Sequence, residues 1–491
     1  MIPKEVLIKI SDVIWEIPKS YRSDMQVPAR FFATERMIDE ALKDKSLDQL
    51  VNVATLRGIQ GQALAMPDMH EGYGFPIGGV AAMSYPDGVI SPGGIGYDVN
   101  CGIRLMRSHL KYADVKDHLE NLSKRIYHVV PSGVGEGGPF RLSKPDMDGV
   151  LRLGIEWMVK QGFATENDAR HIESFGRLEN ADPSKVSDQA KERGQDQLGT
   201  LGSGNHFAEI DVVDQIYDEQ AAGAFGLYKD QIVIMVHCGS RGLGHQVATD
   251  YIRIMMKVME GYGITLPDRE LACVPFSSPE GTDYFNAMAA AANFAWSNRQ
   301  FIMHNIRQAW KKELGEAGGD LSLVYDVAHN MAKIETHDIA TEGLEGSALN
   351  KKQKVIMHRK GATRAFGPGH PELAQEYRAI GQPVLIPGSM GTASYVLVGT
   401  EQGMSTSFGS CCHGAGRVMS RAAAKKLIHG RTLREQLLKE QGIYIQTDSM
   451  VGLAEEAPNA YKDVDEVVGV VAQAGIAGKV ARLRPCAVVK G

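Results

Sequence analysis

The stretch Gln231-Ile232-Val233-Ile234-Met235-Val236-His237-Cys238-Gly239-Ser240-Arg241-Gly242-Leu243-Gly244-His245 decides the class of fold. After Gln231, Ile232 to Val236 form an apolar run of strand length, rich in β-branched side chains. The run ends on a histidine and passes into a glycine-rich loop, after which Gln246 to Tyr262 has helical spacing. An apolar strand that ends on a ligand-type side chain and a flexible turn is how α/β enzymes present chemistry at strand ends. Leu323-Val324-Tyr325-Asp326-Val327-Ala328-His329-Asn330 repeats the design. The pattern predicts a mixed α/β protein.

Working outward, Thr34 to Leu50 and Asp283 to Leu314 carry helical spacing, and Val80 to Met83 reads as a strand. Ala289 to Ala292, inside the long helical pattern, favours close packing over chemistry. The tail alternates helix (Asp463 to Ala474) and strand (Lys479 to Val489). Residues 112–195 are polar and read as largely helical, with breaks at Pro131–Pro139 and Asp182-Pro183. No internal repeat and no linker divides the chain. The expectation is one domain over 1–491 with 112–195 as a polar insertion.

Charge and composition narrow the function classes. A net charge of -6 lowers the expectation of a nucleic-acid partner without excluding a local basic patch. The best such patch runs from Lys351 to Arg364, with six Lys or Arg and no acid. Within it, Arg359 and Lys360 are candidate phosphate contacts. Six scattered cysteines do not make a disulfide framework, which fits a reducing compartment. The first twenty residues carry charges throughout, and no apolar run reaches the roughly 18 residues of a spanning helix. The expected location is the cytoplasm, with no membrane partner. A formal G-x-G-x-x-G at 133–138 is discounted because Pro139 follows at once, and no G-x-x-x-x-G-K-S/T occurs.

The chain has 54 glycines among 491 residues, well above the usual share of about 7%. They frame His, Cys, Asp and Asn. Met66-Pro67-Asp68-Met69-His70-Glu71-Gly72 reads as a loop offering two acids and a histidine. Gly94-Ile95-Gly96-Tyr97-Asp98-Val99-Asn100-Cys101-Gly102 places a carboxylate and a thiol three apart, and Gly204-Asn205-His206-Phe207-Ala208-Glu209 adds another histidine. Any one of these histidines alone is more often structural. Together, Asp98, Cys101, His206, His237 and His329 suit a borderline cation such as Zn²⁺ or Mn²⁺, as one site or as two ions sharing a ligand. Cys238, Cys273 and Cys486 read as packed thiols. His413, in Phe408-Gly409-Ser410-Cys411-Cys412-His413-Gly414-Ala415-Gly416-Arg417, stands apart. Small neighbours leave its ring accessible, and a helix expected directly downstream would offer an anion-ready N-terminus. The residues alone also admit a metal-dependent phosphoesterase or a non-catalytic RNA-binding subunit.

These motifs, in this order over nearly the whole chain, closely resemble the RtcB-type RNA ligases, GTP- and manganese-dependent enzymes that seal tRNA halves and repair broken RNA. The resemblance implies a family-specific α/β domain with a central metal and nucleotide cleft. It implies that His413 becomes attached to GMP and that Asp68 orients it. Asp98, Cys101, His206, His237 and His329 then match manganese ligands, expected to hold two ions. Asn205 and Phe207 match residues lining the nucleotide, with Gly414, Ala415 and Gly416 beside them. Glu209, Ser394 and Lys490 match guanine readers, Ser389 lies nearby, and Tyr461 matches the aromatic residue beside the base. Arg241 and Arg417 are expected phosphate or RNA contacts. Cys411 departs from the small hydroxyl residue more usual there.

The implied reaction has three steps: His413 takes GMP from GTP, an RNA 3′-phosphate takes it from His413, and a 5′-hydroxyl displaces it. A 2′,3′-cyclic phosphate end is opened first. The implied partners are RNA, GTP and, as a candidate, an archease-type activating protein.

Overall fold

The computed structural model describes residues 2–133, 135–342 and 348–491, and side chains outside 340–350. The formal glycine motif at 133–138 therefore lies partly outside the described residues. Among the described residues, two large sheets carry the molecule. An eight-stranded sheet runs in the order Ser322–Ala328, Gly102–Lys111, Gln231–Cys238, Phe207–Ile216, Ala477–Lys490, Ser394–Gly399 and Pro383–Ile386, with Tyr444–Gln446 beside Ala477–Lys490. A seven-stranded sheet runs Ile8–Lys9, Ile14–Ile17, Ala29–Phe32, Ile59–His70, Ile77–Ser84, Ala348–Lys360 and Asn330–Glu342. Both sheets are mixed but mostly antiparallel.

Register in the first sheet lines up strand ends. Ala328 pairs with Gly102, Gly102 with Cys238, His237 with Phe207, and Phe207 with Lys490. Because neighbouring strands lie about 4.8 Å apart, such a row brings side chains distant in sequence within reach of one small ligand. His329 is the single residue between Ser322–Ala328 of one sheet and Asn330–Glu342 of the other. It therefore sits where the two sheets meet. Ala362–Arg364 pairs with Ser410–Cys412 at the same junction, and Ala362 N–H donates to His329 O at 3.1 Å.

Behind the first sheet runs a helix of 36 residues, Pro279–Leu314. Ser278 caps it through Gly281 N–H, Pro279 opens it, and Gly315 ends it at positive φ. Ala289 to Ala292 are fully buried, as close packing requires. Polar Asn298 and Arg299 are also fully buried, and they serve backbone rather than solvent. Arg299 donates to Asn100 O and Cys238 O and forms a bidentate pair with Asp326. One guanidinium thus ties together the three segments that lead to Cys101, His237 and His329. Asn298 Nδ2 donates to Thr200 O and Gly239 O.

Three local expectations are corrected. Met66 to His70 is strand rather than loop, the end of Ile59–His70. The glycine-rich run after Cys238 is the start of a helix, Arg241–Val258. Gly244 is there for space, since a Cβ would lie 1.9 Å from Ser240 Oγ. The helix expected right after His413 begins only at Arg421, capped by Ser420. Gly416 at φ +77° turns the chain out of helical geometry, and Val418 and Met419 N–H bond Ala460 O instead. The anion-ready helix start is therefore not at His413. Between Gly102–Lys111 and Phe207–Ile216 the described residues form helices such as Leu119–Val129, Lys144–Leu153 and Asp188–Gly194. No helix among the described residues is long and apolar enough to cross a membrane.

Candidate active site

The row of strand ends opens onto a cavity of about 1080 Å³. Its floor is the cluster of His, Cys and Asp. Two groups of three have ligand atoms within 4.8 Å of one another: Cys101, His237 and His329, and Asp98, Cys101 and His206. Cys101 belongs to both. Its Sγ is 3.2 Å from His237 Nε2 and 3.3 Å from His206 Nε2; Asp98 Oδ2 is 3.0 Å from His206 Nε2.

Backbone carbonyls set the tautomers. His206 Nδ1–H donates to Leu201 O at 3.0 Å and His237 Nδ1–H to Asn205 O at 3.1 Å. A carbonyl can only accept, so the proton is on Nδ1 and the Nε2 lone pair faces the cluster, as in metal-binding histidines. Asp98 is held from the other side: Ser240 N–H donates to Oδ1 at 2.9 Å and Ser240 Oγ–H at 3.1 Å. Asn330 Nδ2 donates to Asp98 O at 3.0 Å.

The electrostatics favour a cation. Burial above all pushes His237 and His329 well below the usual imidazole range, so both rings are neutral. Burial and the Asp98 carboxylate push the Cys101 thiol up to about 12, a proton that a coordinating cation would displace. At His206 burial opposes charge, but Cys238, Cys101 and Asp98 outweigh it and raise proton affinity well above the ordinary value. The same neighbours favour positive charge at that nitrogen. His237 Nε2 also lies 3.3 Å from His329 Nε2, and His329 Nδ1 is buried without a hydrogen-bond partner. The residues fit a metal, and fit two ions sharing the thiolate.

His413 stands over this floor, its ring centroid 4.7 Å from that of His329. Its Nδ1–H donates to Asp68 Oδ2 at 2.6 Å, and its backbone N–H donates to the same oxygen at 3.0 Å. Asp68 is fully buried on the strand Ile59–His70. With Nδ1 engaged by Asp68, Nε2 is the ring nitrogen left for the cavity that His413 lines. Gly416 makes the loop possible, because a Cβ there would lie 2.2 Å from Asp68 O.

Across the cavity are Asn205, Phe207, Glu209, Ser389, Tyr461 and Lys490, with Gly414, Ala415 and Gly416 next to His413. Burial and the Asp211 carboxylate push the Glu209 carboxyl up, and burial lowers the Lys490 ammonium against Glu456 and Glu209. Arg417 lies 4.8 Å over the Tyr461 ring and donates to Tyr461 Oη at 3.0 Å and to Glu456 at 3.2 Å. Arg241 lines the cavity and donates to Thr200 Oγ1 at 3.2 Å.

Not every expected site residue reaches the cavity. Ser394 is buried behind its wall, where its Oγ accepts from Gly388 N–H at 3.1 Å and shapes the Ser389 loop. Arg359 and Lys360 are corrected outright, since neither offers a free charge to RNA. Arg359 is buried, bidentate to Glu335 and bonded to Ser410 Oγ. Lys360 is buried, its Nζ donating to Tyr73 O and Phe75 O, and burial pushes its ammonium down to about 7. Of the basic patch only Lys351, Lys352 and Lys354 stay exposed. Cys411 is fully buried in the core, 4.0 Å from the Cys412 sulfur.

The sequence reading missed Glu456, which joins Arg417, Arg421 and Tyr461, and Lys462, whose Nζ holds Pro67 O and Met69 O beside Asp68. Neither carries a motif; only a partner far along the chain gives them a role. His70 was noticed, but not that burial would push it down to about 4 with Nδ1–H on Asp68 O.

Comparison with known proteins agrees with this geometry. The family model described as tRNA-splicing ligase RtcB matches residues 49–491. The chain is 52% identical over 488 residues to the tRNA-splicing ligase RtcB of Archaeoglobus fulgidus, covering 99% of each. It is 52% identical over 487 residues to that of Thermococcus kodakarensis, again 99% of each, and 51% identical over 486 residues to that of Pyrobaculum aerophilum, covering 98% of this chain and 99% of that one. With the family model spanning most of the chain and relatives matched end to end, the chain belongs to the RtcB family of tRNA-splicing ligases.

Proposed function

We propose that this chain is an RNA ligase of tRNA splicing that joins a 3′-phosphate or 2′,3′-cyclic phosphate end to a 5′-hydroxyl end through guanylylated His413. Family membership over the whole length carries the reaction class. The observation that supports the covalent route is the Asp68–His413 pair: a carboxylate on Nδ1–H leaves Nε2 as a nucleophile above a cation-binding floor.

His413 Nε2 attacks the α-phosphorus of GTP; a P–N bond forms and pyrophosphate leaves. An oxygen of the RNA 3′-phosphate attacks the same phosphorus, the P–N bond breaks, and His413 is free again. The 5′-hydroxyl then attacks the activated 3′-phosphate and GMP departs. Asp68 stabilises the imidazole as it gains positive character. Asp98, Cys101, His206, His237 and His329 would hold Mn²⁺, two ions with Cys101 shared, and the bound metal supplies positive charge to the phosphoryl oxygens. Glu209 faces a purine from the Phe207–Ile216 strand. Guanine's two edge N–H donors favour its ionised form, an arrangement adenine does not match. An archease-type activator belongs to the same reading.

The test is incubation with Mn²⁺ and α-labelled GTP. Acid-labile, base-stable label on the unsubstituted chain and none on His413→Ala is expected, together with sealing of 3′-phosphate to 5′-hydroxyl RNA. Hydrolysis of RNA ends without label would make the protein a metal-dependent phosphoesterase instead.

A further inference from the structure

The chain is acidic overall, yet between Arg417 and Gln441 it carries seven Lys or Arg against two Glu. This excess is built into two short helices, Arg421–Leu427 and Gly430–Gln441. Val418 to Arg421 form part of the cavity wall, so the basic segment starts at the mouth of the site. The second helix is fixed to another part of that wall: a Cβ on Gly391, next to Ser389 and Met390, would lie 2.6 Å from Leu437 Cδ2.

The charges divide by whether an acid pairs with them. Arg417 and Arg421 pair with Glu456, and Lys425 pairs with Glu455 at 2.9 Å. Lys426, Arg431, Arg434 and Lys439 are exposed and form no ion pair among the described residues. Arg431, Arg434 and Leu438 follow i, i+3, i+7 spacing and so share one flank of the helix. With only Glu435 and Glu440 exposed beside them, these four cations leave an excess of positive charge on the surface, which a polyanion relieves.

We propose that this ledge, from Lys426 through Arg434, is the track along which the RNA backbone leaves the cavity, contacted through its phosphates. The inference rests on the ligase reading above. The segment from 417 to 441 has no Phe, Trp or Tyr on which bases could stack, so contact is charge-based and tolerant of sequence. The ledge adjoins the cavity where a phosphate-ended strand must react, which favours RNA over an acidic protein as its occupant.

The decisive comparison uses the triple variant Lys426→Ala/Arg431→Ala/Arg434→Ala against a control, Lys351→Ala/Lys352→Ala/Lys354→Ala. The control removes the same charge from a strand whose Lys351 lies about 30 Å along from Lys360, at the usual rise per residue. Thermal melts establish that both are folded. Affinity for a labelled 3′-phosphate oligonucleotide is measured across salt, and guanylylation is measured without RNA. The ledge variant is expected to guanylylate normally, to bind RNA about tenfold or more weakly, and to lose about 2–3 from the slope of log affinity against log salt, as three lost phosphate contacts require. The control is expected to keep the parent slope. Equal slopes and affinities in the two variants would overturn the ledge. Unchanged RNA binding with loss of an acidic protein partner would also overturn it, reassigning the surface. Failure of the unsubstituted chain to guanylylate would instead strike the ligase reading, and the two failures are read in different assays.

Discussion

Asp68 does two things for His413: it holds the Nδ1 proton and it anchors the backbone N–H, both through one oxygen. Asp68→Asn keeps the shape and removes the charge that favours a single tautomer. Guanylylation in a single turnover is expected to fall by about 10²–10⁴-fold, the usual weight of a positioned proton partner; a change within twofold would show that Asp68 only packs. The proposed metal ligands are separable in the same way. Under the proposed two-ion site, Cys101→Ala removes a ligand from both groups, whereas His329→Ala leaves Asp98, Cys101 and His206 intact. Equilibrium Mn²⁺ titration is expected to find two ions in the parent, one in His329→Ala and neither held tightly in Cys101→Ala. An unaltered count in Cys101→Ala would sink the shared-thiolate arrangement. Candidate ligand types were legible in the residues themselves, because several His, Cys and Asp share glycine frames, although any one such histidine alone reads as structural. The pairing of Asp68 with His413 was not, since nothing local links residues 345 positions apart; it came only from resemblance.

At the scale of elements, the loop after His413 depends on Gly416. Gly416→Ala places a Cβ 2.2 Å from Asp68 O at φ +77°. The left-handed backbone alone costs about 1–2 kcal/mol for a residue with a Cβ. A lower Tm and a weakened His413–Asp68 bond are expected, the second read as slower guanylylation; a variant matching the parent in both would refute the close approach. Strands that end on histidine were legible because an apolar run followed by a polar residue has one sensible reading. Helix starts were less so. Gly242 and Gly244 look like loop residues, but Gly244 answers to packing on Ser240 and Gly242 to the approach of Gln197 and Arg193, which periodicity does not report. Arg359 and Lys360 misled for a related reason: a run of basic residues reads as surface until Glu335 and two carbonyls bury it.

For the molecule as a whole, buried ion pairs join distant parts. Burial pushes the Glu335 carboxyl up, but Arg359 and His337 outweigh it and hold it well below its ordinary 4.5. A folded value below the unfolded one means the stabilisation is complete above about pH 4.5 and lost as pH falls through the folded value. Tm is expected to drop as pH falls below 4.5, and Glu335→Gln, less stable at neutral pH, is expected to show a shallower drop over that range. Parallel profiles would assign the acid sensitivity elsewhere. The mixed α/β class was readable from the chain, whereas the meeting of two sheets at His329 was not. One residue between strands gives no sign that the strands belong to different sheets.

Under the proposed two-ion site, Cys101 has a thermodynamic consequence beyond ligation. One thiolate divided between two cations gives each less charge than it would give either alone, and the cations repel. Occupancy of one position therefore weakens the other, and reciprocity requires the same factor in both directions. The two ions would load in separate phases, so that over a range of free metal the chain holds a single ion, and the supply of metal rather than of nucleotide would set how much of the protein is ready to react.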